Sequence, residues 1–347
     1  MRLFILALLI FTLGGPAFSQ SDKLSALLNE GIALHDKGDF AKAVNIYNKI
    51  IQLDSSYQGA YYEKSFSLYS WGKYAEAIEL CTYFLDRFPD SKLAKDIFTN
   101  HGSALDAMGK STEAISVYTE GILKYPDSYM LHFNRGITEY QLKLYPEAAN
   151  DFKNSVSLNP FHPSSHQSLA YCVYEKNKVA GMLALSVFLM LEPEGKRAEK
   201  NLNLLYQLLG SNVKKGEKNI EIKISAEALD STKVLPDNFH MLEMMISMKS
   251  ALDYDEKFKD LSAAEKLKSK LELFGNSELT KADDTGFFTE FYIPFFKQLN
   301  KDKQLLTACY IINATADDPQ TQKWLDKNKQ TVKEFYDWLK DYKWTEL

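Results

Sequence analysis

Cysteine is scarce: three residues in 347, far apart at Cys81, Cys172 and Cys309. An odd count cannot all pair, so a disulfide scaffold is excluded, and each cysteine reads as a small buried hydrophobe in an apolar helical pattern. No CxxC and no Cys/His cluster occurs. His162 and His166 are spaced i, i+4, but Pro163 stands between them at a helix start and spoils the shared face that a metal pair needs, so no metal is expected. Sixteen glycines and ten prolines are few for a long β protein. Basic excess is also missing, since 41 Lys and Arg face 46 Asp and Glu, and the net charge of −5 argues against a nucleic-acid surface spread over the molecule. GxSxG, HExxH, P-loop and GxGxxG motifs are all absent, so no catalytic residue and no cofactor is assigned. What is plentiful is aromatic: 21 Phe and 20 Tyr in a chain that is 45% hydrophobic and 25% charged. The length fits about two soluble domains, and the composition favours helices packed through aromatic side chains.

The first nineteen residues read as a secretory signal peptide. Met1-Arg2 precedes the apolar run Leu3 to Leu13, then Gly14-Gly15-Pro16, with Ala17 and Ser19 at −3 and −1 of a cut before Gln20. The run is too short to span a bilayer, no Cys follows that could carry a lipid, and no later segment offers eighteen apolar residues in a row. The mature chain is therefore expected to lack a transmembrane segment and to be exported, periplasmic or extracellular.

Residues 24–194 repeat. Ala43, Ala77, Ala114 and Ala148 stand 34, 37 and 34 residues apart. Tyr47, Tyr118 and Phe152 lie four residues after their alanines, with Cys81 in the remaining unit. Pro89, Pro126 and Pro160 lie twelve after, with Ser55 in that place in the first unit. Small residues are required where two antiparallel helices touch: Gly31, Ser65, Gly102, Gly136 and Ala170 on the first helix, the four alanines on the second. Phe40, Tyr74 and Tyr145 plug the turns, and the prolines stop the second helices. A hairpin of this kind cannot bury its apolar face alone and must stack on its neighbours.

This pattern resembles the tetratricopeptide repeat family. Units 24–57, 58–91, 95–128 and 129–162 match it, and 163–194 matches loosely, with the turn Asn177 to Gly181 and a late Pro193. The resemblance implies an all-α helix-hairpin solenoid whose first helices line a concave groove. Carried over by position, the groove residues are Tyr62, Phe66 and Tyr69 in repeat two, Asn100 beside Thr99 and Ser103 in repeat three, Phe133, Asn134 and Tyr140 with Ile137 in repeat four, and Gln167, Tyr171 and Tyr174 in repeat five. Several of these, Phe66 and Phe133 especially, read alternatively as packing between helices. The carboxylate clamp of some family members is not expected, because Leu28 and Ile32 occupy its first Lys and Asn positions and Arg135 is one place off.

Beyond the repeats, 195–210 reads as an amphipathic helix that caps the stack, with Ala198, Leu202, Leu205, Tyr206 and Leu209 inward and Lys196, Arg197, Glu199 and Lys200 outward. Residues 211–218 read as a polar linker, and Asn219 to Ser225 as one possible short, half-buried strand, its partner elsewhere in the chain or on another protein. A mainly helical carboxy-terminal domain, 219–347, follows, with helices over Asn238 to Ala251, Leu261 to Phe274, Thr285 to Leu299, Lys303 to Ile312 and Pro319 to Tyr342. Asp237 or Asn238 and Thr285 are the expected N-caps and Gly275 a C-cap. Phe287 to Phe296 is either the central helix, kinked at Pro294, or an exposed docking face. Asn313-Ala314-Thr315 matches the glycosylation tripeptide, read as chance. These features point to a scaffold that holds a protein or peptide partner in its groove. The alternatives are an enzyme with its site between solenoid and carboxy-terminal domain, or a structural part of a cell-envelope assembly. The sequence leaves the oligomeric state open.

Overall fold

The computed structural model describes residues 20–217, 219–224, 236–276 and 285–347. Residues 1–19, expected to be a signal peptide, lie outside them, as does Ser225. Among the described residues the chain forms seventeen α-helices and one two-stranded sheet. It divides into two compact units, the described residues up to Val117 and Tyr118–Leu347, and the division falls within a helix.

Ten helices fall where the five hairpins were expected: α1 (Gln20–Asp36) and α2 (Phe40–Leu53), α3 (Gln58–Ser70) and α4 (Tyr74–Arg87), α5 (Ala94–Ala107) and α6 (Ser111–Lys124), α7 (Tyr129–Gln141) and α8 (Tyr145–Leu158), and α9 (Pro163–Val173) and α10 (Lys178–Leu191). Ala43, Ala77, Ala114 and Ala148 are fully buried, as the need for close helix contact requires. Gly38, Gly72 and Gly109 turn the first three hairpins at φ near +79, +79 and +76°, a conformation open to glycine. Lys143 holds the same left-handed place in the fourth. The expected turn plugs lie against the last turn of the preceding helix, Phe40 on His35, Tyr74 on Tyr69 and Tyr145 on Tyr140, with ring centroids 5.2, 5.7 and 5.3 Å apart. Tyr145 remains exposed, so this plug is only partial.

Among the described residues of the second unit, a buried cluster runs from Ala148 in α8 to Leu339 near the carboxy terminus. Its centre is α10, in which every residue from Val179 to Met190 is buried. Its large side chains contribute roughly 1.5–3 kcal/mol each on burial. Around it pack α9, α11 (Gly195–Gly210), α12 (His240–Leu252), α14 (Phe287–Lys301) and α15 (Leu305–Ile312). The remaining helices are α13 (Ala263–Leu271), α16 (Pro319–Lys327) and α17 (Lys329–Asp341).

Several expectations are corrected here. α11 has the expected bounds but does not end the stack. Helix α12 packs on it, and Tyr206 Oη donates to Asn313 Oδ1 at 2.7 Å. Residues 211–218 are not a linker between domains. Val213–Lys215 is strand β1, paired antiparallel with β2 (Ile220–Ile222), so the missing strand partner was the supposed linker itself. The strand is not half-buried either, because Ile220 and Ile224 are exposed. The helix expected over 319–342 is two, broken at Asn328, whose side chain donates to Trp324 O. Asp237 caps a different helix from the one expected, since its Oδ1 accepts from Thr289 N at 2.8 Å in α14, and Gly286 rather than Thr285 precedes that helix. Gly275 ends a 3-10 turn, Glu272–Gly275, without the left-handed conformation of a C-cap. Phe288, Phe291, Tyr292, Phe295 and Phe296 are buried, which makes α14 core and not a docking face; the helix runs through Pro294. Asn313 is fully buried and hydrogen-bonded, so its tripeptide is a chance match.

His166 is completely buried on α9. Its Nε2 lies 2.8 Å from Pro160 O and its Nδ1 2.7 Å from Tyr292 Oη. A carbonyl can only accept, so Nε2 carries the proton and Nδ1 accepts from the tyrosine hydroxyl. The ring ties repeat five to α14. His162, by contrast, bonds Ser165 Oγ through Nδ1.

Two stability measurements test this packing. A methyl added at Gly136 would sit 2.9 Å from Phe152 Cε1, so Gly136→Ala should lose about 1–3 kcal/mol in urea unfolding. Burial pushes the His166 pKa down from 6.5 to about 4. Below pH 6.5 the unfolded chain takes up a proton that the folded ring refuses, so stability falls with pH from 6.5 to about 4, by on the order of 3 kcal/mol. His166→Gln should remove that part of the slope, read as the difference between the two unfolding curves across this range.

Candidate functional site

In the first unit, Tyr62, Phe66 and Tyr69 recur at i, i+4 and i+7 along α3. Phe66 is 38% exposed and stacks on His35 at 4.7 Å, while Tyr62 and Tyr69 are half-buried. Beside them burial raises the Glu63 and Asp96 carboxyls, with Asp36 adding to the effect on Glu63. Asn100 does not join this face. It is buried, and its Nδ2 donates to Ser65 Oγ at 2.9 Å, so the amide ties α5 to α3 instead of facing a partner.

In the second unit the first helices divide the expected residues. Phe133 packs edge-on against His162 at 4.8 Å and lies 5.9 Å from Phe152, which makes it interhelical packing. Asn134 Nδ2 donates to Met130 O in its own helix. Gln167 Nε2 donates to Tyr171 Oη at 3.4 Å. Tyr140, Tyr171 and Tyr174 meet. With Lys200, Asn203, Leu204 and Gln207 of α11 they line a pocket of about 390 Å³. Tyr174 owes its position to Gly181 in α10, since a side chain there would run into the Tyr174 backbone, 3.0 Å from its Cα. Lys200 Nζ stands 5.7 Å over the Tyr171 ring. Burial raises the Tyr140 pKa, and Cys172 and the neighbouring Tyr145, Tyr174 and Tyr171 add to it, so the phenol stays neutral and can donate.

The four α11 residues were not foreseen. They recur at i, i+3, i+4 and i+7, a signal visible in the sequence, where Lys200 alone is read, as part of the outer side of a cap. A more open depression of about 490 Å³ lies at Gln58 and Arg87 to Lys92, turn surface with Phe88 as its aromatic. A smaller one, about 190 Å³, adjoins Lys178, Asn212, His240 and Glu243, whose groups partly satisfy one another: Lys178 Nζ reaches both Asn212 Oδ1 and Glu243 Oε1.

Between α7 and α8 lies a buried charge cluster. Asp151 accepts from Arg135 Nε at 2.6 Å and Nη2 at 2.8 Å and lies 3.0 Å from His132 Nδ1. Arg135 Nη1 also donates to Thr119. Burial acts against the Asp151 charge, but these hydrogen bonds hold its pKa below the usual range. This is a structural clamp between α7 and α8. It offers no free nucleophile. Cys81 and Cys309 are buried, Cys172 is half-buried, and all three are free thiols; burial pushes Cys81 and Cys172 up to about 12 and Cys309 higher still. Among the described residues no group of three or more His, Cys, Asp or Glu is placed to hold a metal ion, and no helix is long and apolar enough to cross a membrane.

Two segments match tetratricopeptide repeat family models, residues 24–57 and 99–163. A TPR repeat-containing protein of Methanocaldococcus jannaschii is 27% identical over 158 residues, covering 43% of this chain and 28% of that protein. WD and tetratricopeptide repeats protein 1 of Mus musculus is 35% identical over 75 residues, covering 21% and 11%. The chain thus spans less than a third of the length of these curated relatives. Among solved structures, a TPR protein of Thermus thermophilus aligns at 17% identity with a TM-score of 0.44, covering 54% of this chain and 98% of that one. The pilF protein of Pseudomonas aeruginosa aligns at 20% with a TM-score of 0.47, covering 54% and 83%.

Glu139, next to Tyr140, has a buried Oε2 without a partner, and burial together with the Asp151 charge raises its pKa to about 7 against the pull of Arg135. The folded carboxyl therefore holds a proton that the unfolded one releases near 4.5, and stability declines as pH rises from there to about 7. Glu139→Gln, fixed in the neutral form, should melt above wild type at pH 8 by thermal unfolding, with the gap closing by pH 5.

Proposed function

Because the chain carries tetratricopeptide repeats, which act as protein–protein interaction scaffolds, we propose that it is an exported, non-catalytic scaffold that holds an extended or helical peptide of a partner protein on its first-helix faces. The pocket of Tyr140, Tyr171 and Tyr174 carries this reading. Three tyrosines projected from two successive repeats supply rigid contact area at low entropic cost, and a pocket of this size suits one or two side chains of a bound segment. In the first unit, the exposed Phe66 with half-buried Tyr62 and Tyr69 on α3 offers side chains of the same kind. Export rests on residues 1–19, whose charge, apolar run and small residues have the form of a cleaved leader. The three thiols, whose pKa burial raises, and the saturated Arg135–Asp151 clamp support a role without catalysis.

The double variant Tyr140→Ala, Tyr171→Ala is the test, made on protein recovered from the periplasm or medium of the expressing cell. Mass spectrometry should place its first residue at Gln20. Partners crosslinked by wild type in a cell-envelope extract should bind the variant at least tenfold more weakly, since losing two aromatic contacts costs about 2 kcal/mol or more. Unchanged capture by a variant with wild-type circular dichroism would exclude the pocket as the binding site.

A further inference from the structure

The lining of the tyrosine pocket has a sign. Of its seven side chains, Lys200 alone carries a charge at neutral pH, and none is acidic. Its ammonium lies over the face of Tyr171 at the pocket, and among the described residues it makes no ion pair, so its charge is uncommitted. The other polar lining groups can donate: the phenols of Tyr140 and Tyr171 and the amides of Asn203 and Gln207, while the Tyr174 phenol already has the adjacent Glu175 carboxylate as a partner. The raised Tyr140 pKa keeps that hydroxyl protonated. Leu204 and the ring faces leave room for methylene groups beside these donors.

We propose that this pocket accepts a carboxylate side chain, Asp or Glu, carried within a segment of the partner protein, and that Lys200 is the residue that sets this preference. The proposal rests on the reading of the pocket as a peptide site. A cationic side chain would bring like charge beside Lys200, and an apolar one would offer no acceptor to Lys200 or to the phenols and amides beside it. A carboxylate offers two oxygens, enough to take Lys200 together with a phenol or amide, while its methylenes lie on Leu204 and the rings. The contact is at a partly exposed rim, so the ion pair adds specificity more than affinity.

A random peptide library displayed on phage, selected against the full mature chain, tests this with three baits: wild type, Lys200→Glu, and the double variant Tyr140→Ala, Tyr171→Ala. Peptides that bind wild type and not the tyrosine variant should be enriched in Asp or Glu at one position. Lys200→Glu should lose that enrichment or exchange it for Lys or Arg. In fluorescence polarisation a selected peptide should weaken about three- to fivefold when its acidic residue becomes the amide, and Lys200→Gln should abolish this difference. Tyrosine-dependent peptides without acidic enrichment, or with enrichment that survives Lys200→Glu, overturn the charge preference while leaving the pocket as a peptide site. If no selected peptide depends on the tyrosines, the peptide site itself is lost and the proposal with it. Circular dichroism of each bait confirms that the comparison is between folded proteins.

Discussion

Helix α10 is apolar on every side, and such a helix has no face to give to water. From Val179 to Met190 no residue carries a charge, and Ser186, the polar exception, returns its hydroxyl to Met182 O. A repeat stack exposes one face of its last helix, which an amphipathic cap can cover. It cannot cover a helix that is apolar all round. The second unit therefore has to continue past the repeats, and α11, α12, α14 and α15 are where the burial of α10 is completed. This is why the expected boundary at residues 211–218 is no boundary, and why one cluster joins α8 to α17.

Polar groups drawn into so dry a core need partners on arrival, and most have them. His166 spends both ring nitrogens, Asn313 receives from Tyr206 and gives to Cys309 O, and Lys270 donates to Asp253 and to Lys266 O. The bonds of His166 to Tyr292, Tyr206 to Asn313 and Lys270 to Asp253 join separate segments, and each would leave a desolvated group behind if one partner were lost. They specify which helix lies against which, something that apolar contact alone does poorly. Glu139 departs from the rule with its unpaired Oε2, and the consequence is a carboxyl that prefers to be neutral.

The hairpins were legible because their signals are local. An alanine at the crossing, a glycine in a left-handed turn and a proline after the second helix are fixed by contacts within one unit, so their spacing alone placed ten helices. The carboxy-terminal half has no repeat to average over, and its errors share one cause. Asp237 looked like a cap for the helix beside it but reaches fifty residues ahead to α14, and β2 found its partner in a lysine-rich stretch that reads as solvent-exposed polar chain. Asn100 and Phe133 failed as groove residues for a related reason. Position in a repeat tells which way a side chain leaves the helix but not whether a neighbour, Ser65 or His162, already occupies it.

The same constraint explains how the tyrosine pocket arises. To bury α10, α11 must lay Ala198, Leu202, Leu205 and Leu209 against the core. That fixes its rotation, and the opposite i, i+3, i+4, i+7 row of Lys200, Asn203, Leu204 and Gln207 then stands beside the first-helix tyrosines. Gly181 completes the arrangement from within α10, because its missing side chain lets the end of α9 settle close enough to hold Tyr174 at the rim. A helix that only capped the stack could have rotated or frayed without cost to the repeats. One clamped between two parts of a continuous core cannot, so the pocket wall that it supplies is as rigid as the core behind it, and a wall of that kind is what a binding site needs for its affinity not to be lost in ordering.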